Sequence, residues 1–508
     1  MNEIATDPNA PLRRSVYWLL ILISAGMMLG RILAVNSVDM AGLEANRLSK
    51  IPGELERKRQ ALLSQGVSGD ALKRELAAAE KQLRQQAALQ RPFLSANDRS
   101  RWATVRALVE DDMRVPGAPY AIDKVIQERN WDTIDMVEHE GHLYSSKPTL
   151  LPTLMAAAYW PIYRFSGATL GTNPYEIAWF MLVLLNVAPL VVGFALLAGL
   201  VERFGTSDWG RIFVMAAAVF GTFLTTFAVT INNHLPAAVC AVATAYAAVR
   251  IWFDGERRAR YFIVAGLFAA LAAANELPAA SILAAVAVLL LWKSPRLWLL
   301  GFLPAVAVVV AAFFATQWIA YHDLKPAYLH HSGDDNWYDY TYERNGRTIA
   351  SYWNSPQGLD RGESSGGVYA FNVLIGHHGI FSLTPVWLLS FIGMGVWLFR
   401  RRGDPRLRLW AATTAAISLA CVAFYLSRPL MQRNYGGSAS GFRWVFWLAP
   451  LWLLTMLPMA DVLARRRWTR AVGLVLLALS VLSAAYPTWN PWTHPWLMNL
   501  TQNLDWGM

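Results

Sequence analysis

Residues 297–320 read LWLLGFLPAVAVVVAAFFATQWIA, an unbroken run without a charged side chain. A helix that spans a bilayer needs about 20 consecutive apolar residues, because a rise of about 1.5 Å per residue must cover a hydrocarbon layer of about 30 Å. This run is long enough to do so. The rest of the chain agrees, since 55% of its 508 residues are hydrophobic and its mean hydropathy is +0.29. The sequence therefore predicts an integral membrane protein.

Apolar windows of about 17 to 25 residues recur along the chain and predict an all-α polytopic bundle of about 11–13 transmembrane helices. The candidate spans are 16–35, 150–166, 176–202, 211–231, 236–253, 261–276, 277–292, 297–320, 379–399, 409–427, 443–464 and 471–486. Arg13 and Arg14 precede the first span, as in a signal peptide, but no small-x-small cleavage site follows it, which favours a membrane anchor. Cys240 and Cys421 both fall within spans, so no disulfide is implied.

The formal net charge of +10 does not indicate a nucleic-acid partner, because the basic residues collect in short connections between spans. The basic connections are 257–260, 293–296, 400–408 and 465–470. The positive-inside rule places them in the cytoplasm. The loops 36–149, 321–378 and 428–442 and the tail are then exported.

The predicted spans do not fit this orientation if each one crosses once. The tail would then be cytoplasmic, whereas the basic connections place it outside. One crossing is therefore miscounted, and we place the error between residues 150 and 250. Asn232-Asn233-His234 before Pro236, and Asn186 before Pro189, suggest broken or re-entrant helices there. The corrected number is 11 or 13 crossings.

Composition divides the chain into seven regions. They are an N-terminal transmembrane helix (1–35), an exported helical hairpin (36–91), a first catalytic loop with an interfacial helix (92–149), a central bundle (150–320), a second exported loop (321–378), C-terminal transmembrane helices (379–486) and an exported Trp-rich tail (487–508).

Two of these regions carry helical patterns outside the membrane. In the hairpin, Asp70 is a natural N-cap, and Leu72, Leu76, Ala79 and Leu83 form one apolar stripe. The hairpin either packs on its own protein or binds a partner as a coiled coil. In the first loop, residues 101–112 place Trp102, Val105, Leu108 and Val109 on one side, which predicts an amphipathic helix along the membrane surface.

Two polar strings flank the end of the first exported loop. They are Asn97-Asp98-Arg99-Ser100-Arg101-Trp102 and His142-Leu143-Tyr144-Ser145-Ser146-Lys147-Pro148. An acid, several cations and aromatic side chains at one membrane face suit chemistry on a substrate with a charged head group and a lipid tail.

The order of these strings resembles the membrane-embedded GT-C glycosyltransferases, in particular the protein O-mannosyltransferase and lipid A aminoarabinose transferase group. Those enzymes carry an Asp-Glu-x-Arg-Tyr string after helix one and a Lys-Pro-Pro-Leu string entering helix two. The matches are Asp98-Arg99-Ser100-Arg101-Trp102 and Lys147-Pro148-Thr149-Leu150. The aminoarabinose transferases have Glu before this Lys, where this chain has Ser146. The resemblance does not cover the hairpin insertion.

The resemblance implies a GT-C fold and an inverting transferase of the dolichyl-phosphate-mannose-protein mannosyltransferase type. Such an enzyme takes a sugar from a polyprenyl-phosphate donor in the membrane and transfers it to a lipid, glycan or protein acceptor. The reaction needs a base for the acceptor hydroxyl, cations for the leaving phosphate and an apolar groove for the lipid.

Asp98 is the candidate base, because a desolvated carboxyl near the membrane interface has its pKa pushed towards neutrality; a helix cap is the alternative. Lys147 stands where an ammonium can meet a phosphate, or where it simply snorkels to water. Arg428, Arg433 and Arg443 surround the Gly-rich segment 434–441, which either cradles phosphate or is a flexible loop.

Supporting candidates lie at the same predicted face. They are Arg101, Tyr144, His234, Glu276, His377 and His378. Glu276 holds an arginine, positions the acceptor, ligates a metal or caps a helix. Histidines bind Zn²⁺, so a divalent metal is a possible cofactor, although none is certain from the spacing.

Two other functions compete with the transferase. One is a transporter or flippase for lipid-linked glycans, and the other is a non-catalytic membrane scaffold. Transporters place polar sites at the bilayer midplane between repeated halves, whereas here the polar residues collect at one face. The pattern favours an interfacial enzyme, expected in a bacterial inner membrane with its active site on the exported face.

Overall fold

The computed structural model describes residues 7–34, 48–87, 93–128, 130–332, 335–400, 403–487 and 490–505. Its helices are α1 (Ala10–Ala34), α2 (Ile51–Ser64), α3 (Gly69–Ala87), α4 (Ala96–Val109), α5 (Asp123–Gln127), α6 (Leu150–Ser166), α7 (Pro174–Leu182), α8 (Ala188–Phe204), α9 (Asp208–Phe220), α10 (Phe223–Thr226), α11 (His234–Trp252), α12 (Ala259–Asn275), α13 (Ala280–Lys293), α14 (Pro295–Leu297), α15 (Leu303–Tyr321), α16 (Gly366–Leu374), α17 (Ile380–Leu383), α18 (Trp387–Phe399), α19 (Pro405–Leu426), α20 (Ala449–Leu463), α21 (Arg467–Ala485) and α22 (Trp496–Asp505).

Short strands pair as three antiparallel hairpins between the helices. They are β1 (Met136–His139) with β2 (His142–Ser145), β3 (His331–Ser332) with β4 (Asp335–Asn336), and β5 (Thr341–Arg344) with β6 (Arg347–Ala350). The register of the first hairpin pairs Met136 with Ser145 and His139 with His142.

The protein is an all-α polytopic membrane protein, as predicted. Within the described ranges, eight helical segments are long and apolar enough to cross a membrane, and three shorter apolar helices accompany them. The long segments are Ala10–Ala34, Pro174–Phe204, Asp208–Val229, His234–Trp252, Pro295–Tyr321, Pro405–Leu426, Arg443–Leu463 and Arg467–Ala485, and the shorter ones are Ala259–Asn275, Leu277–Lys293 and Trp387–Phe399.

Polar contacts define the two ends of the bundle. At one end, which we call the basic end, Arg13 pairs with Glu202 at 2.9 Å and Arg203 pairs with Asp254 at 3.0 Å. At the other end, which we call the site end, Thr230 Oγ1 donates to Asp98 at 2.7 Å. Each of the eleven apolar segments runs from one end of the bundle to the other. A segment that starts at the basic end finishes at the site end, and the next segment returns.

Helix α6 resolves the inconsistency in the predicted crossings. Residues 150–166 were predicted as a span, and they do form a helix, but α6 packs along α4 and both of its ends lie at the site end. At its start, Thr149 Oγ1 lies 2.7 Å from Gln317 Oε1 near the end of α15. At its end, Glu110 accepts from the Leu170 amide at 2.7 Å. A helix with both ends on one side adds no crossing, so the span prediction for 150–166 is wrong.

The two segments suspected of breaks behave differently. Residues 183–187 form a π-helical turn that joins α7 to α8 into one continuous span. The Asn186 amide in this turn donates to the carbonyls of Ala228 and Thr230 at 2.9 and 3.0 Å. By contrast, the helical path after α9 is interrupted at Gly221 and Thr222 and continues through α10 and a 3₁₀ turn at Phe227–Val229. The polar residues 230–233 then lead into α11 at the site end.

Helices α2 and α3 pack side by side as a hairpin. The predicted hairpin insertion spans 36–91, of which 36–47 and 88–91 lie outside the described residues. Asp70 lies in the first turn of α3, which begins at Gly69. The final residues 506–508 of the Trp-rich tail also lie outside the described residues.

Helix α4 begins earlier and is far more buried than the amphipathic pattern predicted. Ser95 is its N-cap, with its hydroxyl accepting from the Asp98 amide at 3.0 Å, which satisfies a backbone donor at the helix start. All residues from Asp98 to Val109 except Leu108 are buried. The helix therefore does not lie on the membrane surface with one polar face in water. It is enclosed by α6, by the 128–146 segment and by the 230–234 segment.

The second loop covers the first. The Glu138 amide donates to the Trp337 carbonyl at 2.9 Å, and the His139 and Trp337 rings stack with centroids 4.0 Å apart. Trp353 Nε1 donates to the Ile134 carbonyl at 2.8 Å. These contacts fix the 134–147 strand pair over the end of α4 and enclose the polar side chains between the loops.

Candidate functional site

Asp98 occupies the third position of α4 and is held by three donors. Oδ1 accepts from Trp102 Nε1 at 2.9 Å and from the Ile231 amide at 3.2 Å, and Oδ2 accepts from the Thr230 hydroxyl at 2.7 Å. The residue is only 2% exposed. Burial raises the pKa of the carboxyl to about 6, although its hydrogen bonds and nearby Arg101 favour the charged form. A buried carboxyl that titrates near neutral pH is suited to proton transfer.

Arg101 lies one turn further along α4 and joins the helix to the 232–234 segment. Its Nε and a terminal nitrogen both donate to Asn233 Oδ1, at 3.0 and 2.5 Å. Its other terminal nitrogen donates to the carbonyl and side chain of Asn97. Burial lowers the pKa of Arg101 to about 10, which still leaves the guanidinium charged at neutral pH.

Lys147 forms an ion pair that sequence reasoning did not predict. Its ammonium lies 2.8 Å from Asp135 Oδ1, and the two side chains are 18% and 13% exposed. Burial lowers the pKa of Lys147, and Asp135 opposes that effect. Asp135 was missed because it stands alone between β1 and the preceding loop. The fold brings it to Lys147 because Ser100 Oγ donates to the Asp135 carbonyl at 2.6 Å.

Glu276, His234 and Arg443 form a buried row. Glu276 Oε1 lies 2.6 Å from His234 Nδ1, and Arg443 donates to His234 Nε2 at 2.7 Å. Because the guanidinium can only donate, Nε2 is the accepting nitrogen and the proton of the imidazole sits on Nδ1, towards Glu276. The row thereby fixes the position of the Arg443 guanidinium, with Glu276 on the far side of His234.

The same guanidinium is held by the Gly-rich segment. Nε and a second nitrogen of Arg443 donate to the Gly436 carbonyl at 2.9 and 2.8 Å. The guanidinium also lies over the Trp492 ring, 4.8 Å from its centroid. Tyr435, Gly436 and Gly437 all have positive φ, at 58°, 89° and 75°. This backbone turns the carbonyl of Gly436 towards Arg443, so the segment is an ordered cradle for the arginine.

A Gly436→Ala substitution is expected to displace Arg443. The added Cβ would lie 3.2 Å from Arg443 Nε, in a backbone conformation with φ of +89°. The strain is expected to cost about 1–3 kcal/mol of stability and the crowding against Arg443 to lower stability further. Gly346→Ala is the matched control, because Gly346 has φ of +69° with open space around its Cβ position. Thermal unfolding measures both variants, and an equal loss of stability in the two would contradict this role for Gly436.

Three buried cations at the site end lie close enough for their charges to act on one another. Arg101, Lys147 and Arg443 repel one another, and Asp135 attracts all three. Asp98 and Glu276 also act on Arg101. The structure therefore brings together six of the predicted side chains, which are Asp98, Arg101, Lys147, His234, Glu276 and Arg443.

Arg428 and Arg433 lie further from this centre. The Arg428 guanidinium contacts Gln432 and lies 4.9 Å from the centroid of the Phe424 ring. Arg433 Nε donates to the Arg428 carbonyl at 2.9 Å, and a terminal nitrogen donates to the Ser364 carbonyl at 3.4 Å. Lys147 and Arg428 both lie close enough to His331 for their charges to lower its pKa. Arg433 instead contacts the second loop through the Ser364 carbonyl.

The remaining predicted residues have other surroundings. Tyr144 packs against Tyr321 with ring centroids 5.1 Å apart in a small aromatic core, and burial raises its pKa to about 12. His378 stacks on Tyr435 with centroids 4.8 Å apart, and His377 lies edge-on to the same ring at 5.1 Å. Burial lowers the pKa of both histidines. These histidines support the Gly-rich segment from behind.

A bound divalent metal does not fit these residues. Across the ranges that the structure describes, His, Cys, Asp and Glu side chains do not come together in any group of three that could hold a metal ion. His234 Nε2 accepts from Arg443, and its Nδ1 lies 2.6 Å from Glu276 Oε1.

Comparisons with known proteins give two structural likenesses. No protein-family model matches the chain, and no curated protein sequence matches it. The crystal structure of the Archaeoglobus fulgidus oligosaccharyltransferase complex with Zn and sulfate has a TM-score of 0.39 and 12% identity over 79% of this chain and 54% of that one. The archaeal oligosaccharyltransferase from Archaeoglobus fulgidus in complex with an inhibitory peptide and a dolichol-phosphate has a TM-score of 0.36 and 11% identity over 79% of this chain and 56% of that one. The chain spans about half the length of these structures.

Proposed function

We propose that the protein is a membrane glycosyltransferase of the GT-C type that takes a sugar from a polyprenyl-phosphate donor. The observation that carries the proposal is a group of buried cations at the site end. Lys147 lies 2.8 Å from Asp135, and Arg101 and Arg443 are held nearby by Asn233 and by the Gly436 carbonyl, within the electrostatic reach of the same carboxylate. Buried cations are costly unless an anion lies among them, and in the free protein Asp135 is that anion, with its Oδ1 2.8 Å from the Lys147 ammonium. The phosphodiester of a polyprenyl-phosphate sugar is a second anion for this place, and the polyprenyl phosphate that leaves carries one more negative charge, so charge-assisted hydrogen bonds from lysine and arginine strengthen during transfer.

In this proposal the cations stabilise the leaving group. Lys147 and Arg443 bind the phosphate oxygens, and Arg101 contributes long-range attraction while it keeps its bonds to Asn233. Arg428 lies at the edge of the phosphate site, and Arg433 shapes the loop beside it. As the bond between the anomeric carbon and the phosphate oxygen breaks, the polyprenyl phosphate leaves with the electron pair, and fixed cations favour that charge.

Asp98 is the base in the same proposal. Its carboxylate takes the proton of the acceptor hydroxyl while the acceptor oxygen bonds to the anomeric carbon, and attack opposite the phosphate inverts the configuration. For this contact the acceptor hydroxyl takes the place of the Thr230 hydroxyl on Oδ2. Thr230 has a second partner, because it accepts from Trp492 Nε1 at 3.0 Å.

The finer assignment rests on the sequence strings. Asp98-Arg99-Ser100-Arg101-Trp102 and Lys147-Pro148 match the pattern of the mannosyl- and aminoarabinosyl-transferring enzymes. We therefore propose a mannosyltransferase-like enzyme whose acceptor is a lipid, a glycan or a protein.

We test this function with membranes that contain the protein and polyprenyl-phosphate sugars labelled in the sugar. The expected result is protein-dependent loss of label from the lipid-linked pool and its appearance in acceptor material. Movement of intact donor across sealed vesicles without loss of the lipid-linked pool would replace the proposal with transport. The Asp112→Asn protein is a suitable positive control, because this exposed carboxyl lies in the same loop away from the site.

We also propose that the site end faces the exported side of a bacterial inner membrane. The basic connections 257–260 and 465–470 lie at the basic end, and such segments remain in the cytoplasm. Cysteines introduced at Ser68 and Ser438 are expected to react with an impermeant thiol reagent in intact cells, whereas one at Arg257 is not. Native Cys240 and Cys421 are buried and leave a low background. Labelling at Arg257 with protection at Ser438 would reverse the orientation.

A further inference from the structure

A cavity of about 400 Å³ opens at the basic end, at the opposite end of the bundle from the proposed active site. It lies between α1, α8 and α11. Its floor is made of small residues, Ala195, Ala198 and Gly199. An added Cβ on Gly199 would stand 3.6 Å from the Tyr246 ring, so larger side chains here would fill the space.

The charged groups around the cavity leave it positive. Arg14, Arg203 and Arg250 line it together with the carboxylates of Glu202 and Asp254. Glu202 is already bound by Arg13, which donates to both of its oxygens at 2.9 Å, and Asp254 is shared by Arg203 and Arg250 at 3.0 and 2.7 Å.

Arg14 is the arginine of the cavity that pairs with no described carboxylate. It is exposed, and within the described part of the chain it makes no hydrogen bond or ion pair. Arg13, its neighbour, is by contrast buried among three carboxylates. The cavity therefore presents a guanidinium without an anion beside a wall of apolar and aromatic side chains.

The aromatic side chains place this cavity at the level of lipid head groups. Tyr17 donates to Glu202 and lines the cavity, Trp18 is 49% exposed on α1, and Tyr246 stands opposite. Tyrosine and tryptophan concentrate at the membrane–water interface. Arginine near that interface attracts anionic lipids by about 1 kcal/mol per residue.

We propose that this cavity binds one anionic phospholipid. The phosphate of the head group contacts Arg14 at the mouth, whereas Arg203 and Arg250 keep their pairs with Asp254 and Glu256. One acyl chain lies in the groove over Ala198 and past Ile21. A volume of about 400 Å³ falls within the usual range for small-molecule sites. This site is independent of the glycosyl transfer proposed at the other end.

The test measures lipid binding to the purified full-length protein in neutral detergent. Native mass spectrometry and thermal unfolding are recorded with phosphatidylglycerol, phosphatidylcholine or inorganic phosphate. The expected result is binding and stabilisation by phosphatidylglycerol above phosphatidylcholine. Arg14→Gln is expected to weaken that binding about fivefold, the equivalent of one charge at the interface. Arg257→Gln removes an exposed arginine of the same end outside the cavity and should leave binding unchanged.

A second variant tests the contribution of the groove to lipid binding separately from that of the Arg14 charge. Ala198→Trp fills the floor and is expected to reduce phosphatidylglycerol binding while Arg14 remains. Equal affinity of the Arg14→Gln and Arg257→Gln proteins would overturn the site, as would equal binding of the two lipids to the unmodified protein. Full stabilisation by inorganic phosphate alone would overturn the acyl-chain part of the proposal.

Discussion

Asp98→Asn is expected to lower glycosyl transfer about 10²- to 10⁴-fold, the usual effect of removing a general base. The amide has the shape of the carboxylate but cannot take the acceptor proton at neutral pH. Its oxygen can still accept from Trp102 and the Ile231 amide, and its nitrogen can donate to Thr230. Steady-state transfer with labelled donor measures the effect. Near-normal transfer would make Asp98 a structural brace between α4 and the 230–234 segment.

The same carboxyl predicts how activity depends on pH. Burial raises the pKa of Asp98 to about 6, so the base is ionised above that value. Transfer is expected to fall as the pH is lowered through about 6, and the residual activity of Asp98→Asn should not show this step. A profile that is flat between pH 5 and 8 in the unmodified enzyme would contradict the assignment.

The raised pKa also fixes the sign of the stability change. The folded state binds this proton more tightly than the unfolded state, so the contribution of Asp98 to stability is fully present below its ordinary pKa of 3.8 and is lost as the pH rises through about 6. At neutral pH the Asn variant is therefore expected to be at least as stable as the unmodified protein. Its thermal unfolding shows whether lost activity reflects chemistry or unfolding.

Lys147→Gln is expected to lower transfer about 10²- to 10³-fold, as when one group that stabilises developing charge is removed. The ammonium lies 2.8 Å from Asp135 in the free protein, and in the proposed mechanism it binds the leaving phosphate. Without it, the buried Asp135 carboxylate loses its closest cation and repels the donor. Both kcat and the affinity for polyprenyl phosphate are expected to fall.

Two variants control for this result. Lys124→Gln removes an exposed lysine of the same loop, whose ammonium lies 3.4 Å from the Asp112 carbonyl, and should leave transfer unchanged. Asp135→Asn removes the carboxylate that competes with phosphate for Lys147, so it is expected to tighten polyprenyl-phosphate binding. Unchanged kinetics in Lys147→Gln would remove the lysine from the phosphate site.

The sequence by itself determined the class of the protein and the approximate positions of its apolar helices. Hydrophobic length fixes where a helix can cross a bilayer, so the span 297–320 corresponds to the segment Pro295–Tyr321. The parity argument also showed that one crossing was miscounted between residues 150 and 250, which left 11 or 13 crossings. It could not show which one, because α6 has the composition of a span. Only the packing of α6 along α4, with both ends of α6 on one side, shows that it does not cross.

The tertiary structure alone decided which polar side chains meet. Local pattern found Asp98, Lys147 and Glu276, since charge beside an apolar run is unusual. It missed Asp135, because a lone aspartate in a loop carries no periodic signal until Ser100 and the strand pair bring it to Lys147. It also named both Arg433 and Arg443 as phosphate ligands. In the folded chain Arg443 donates to the Gly436 carbonyl and lies beside His234, whereas Arg433 contacts the second loop. Hydrophobic length is a property of neighbours along the chain, whereas a charged site is made by residues that become neighbours only when the chain has folded.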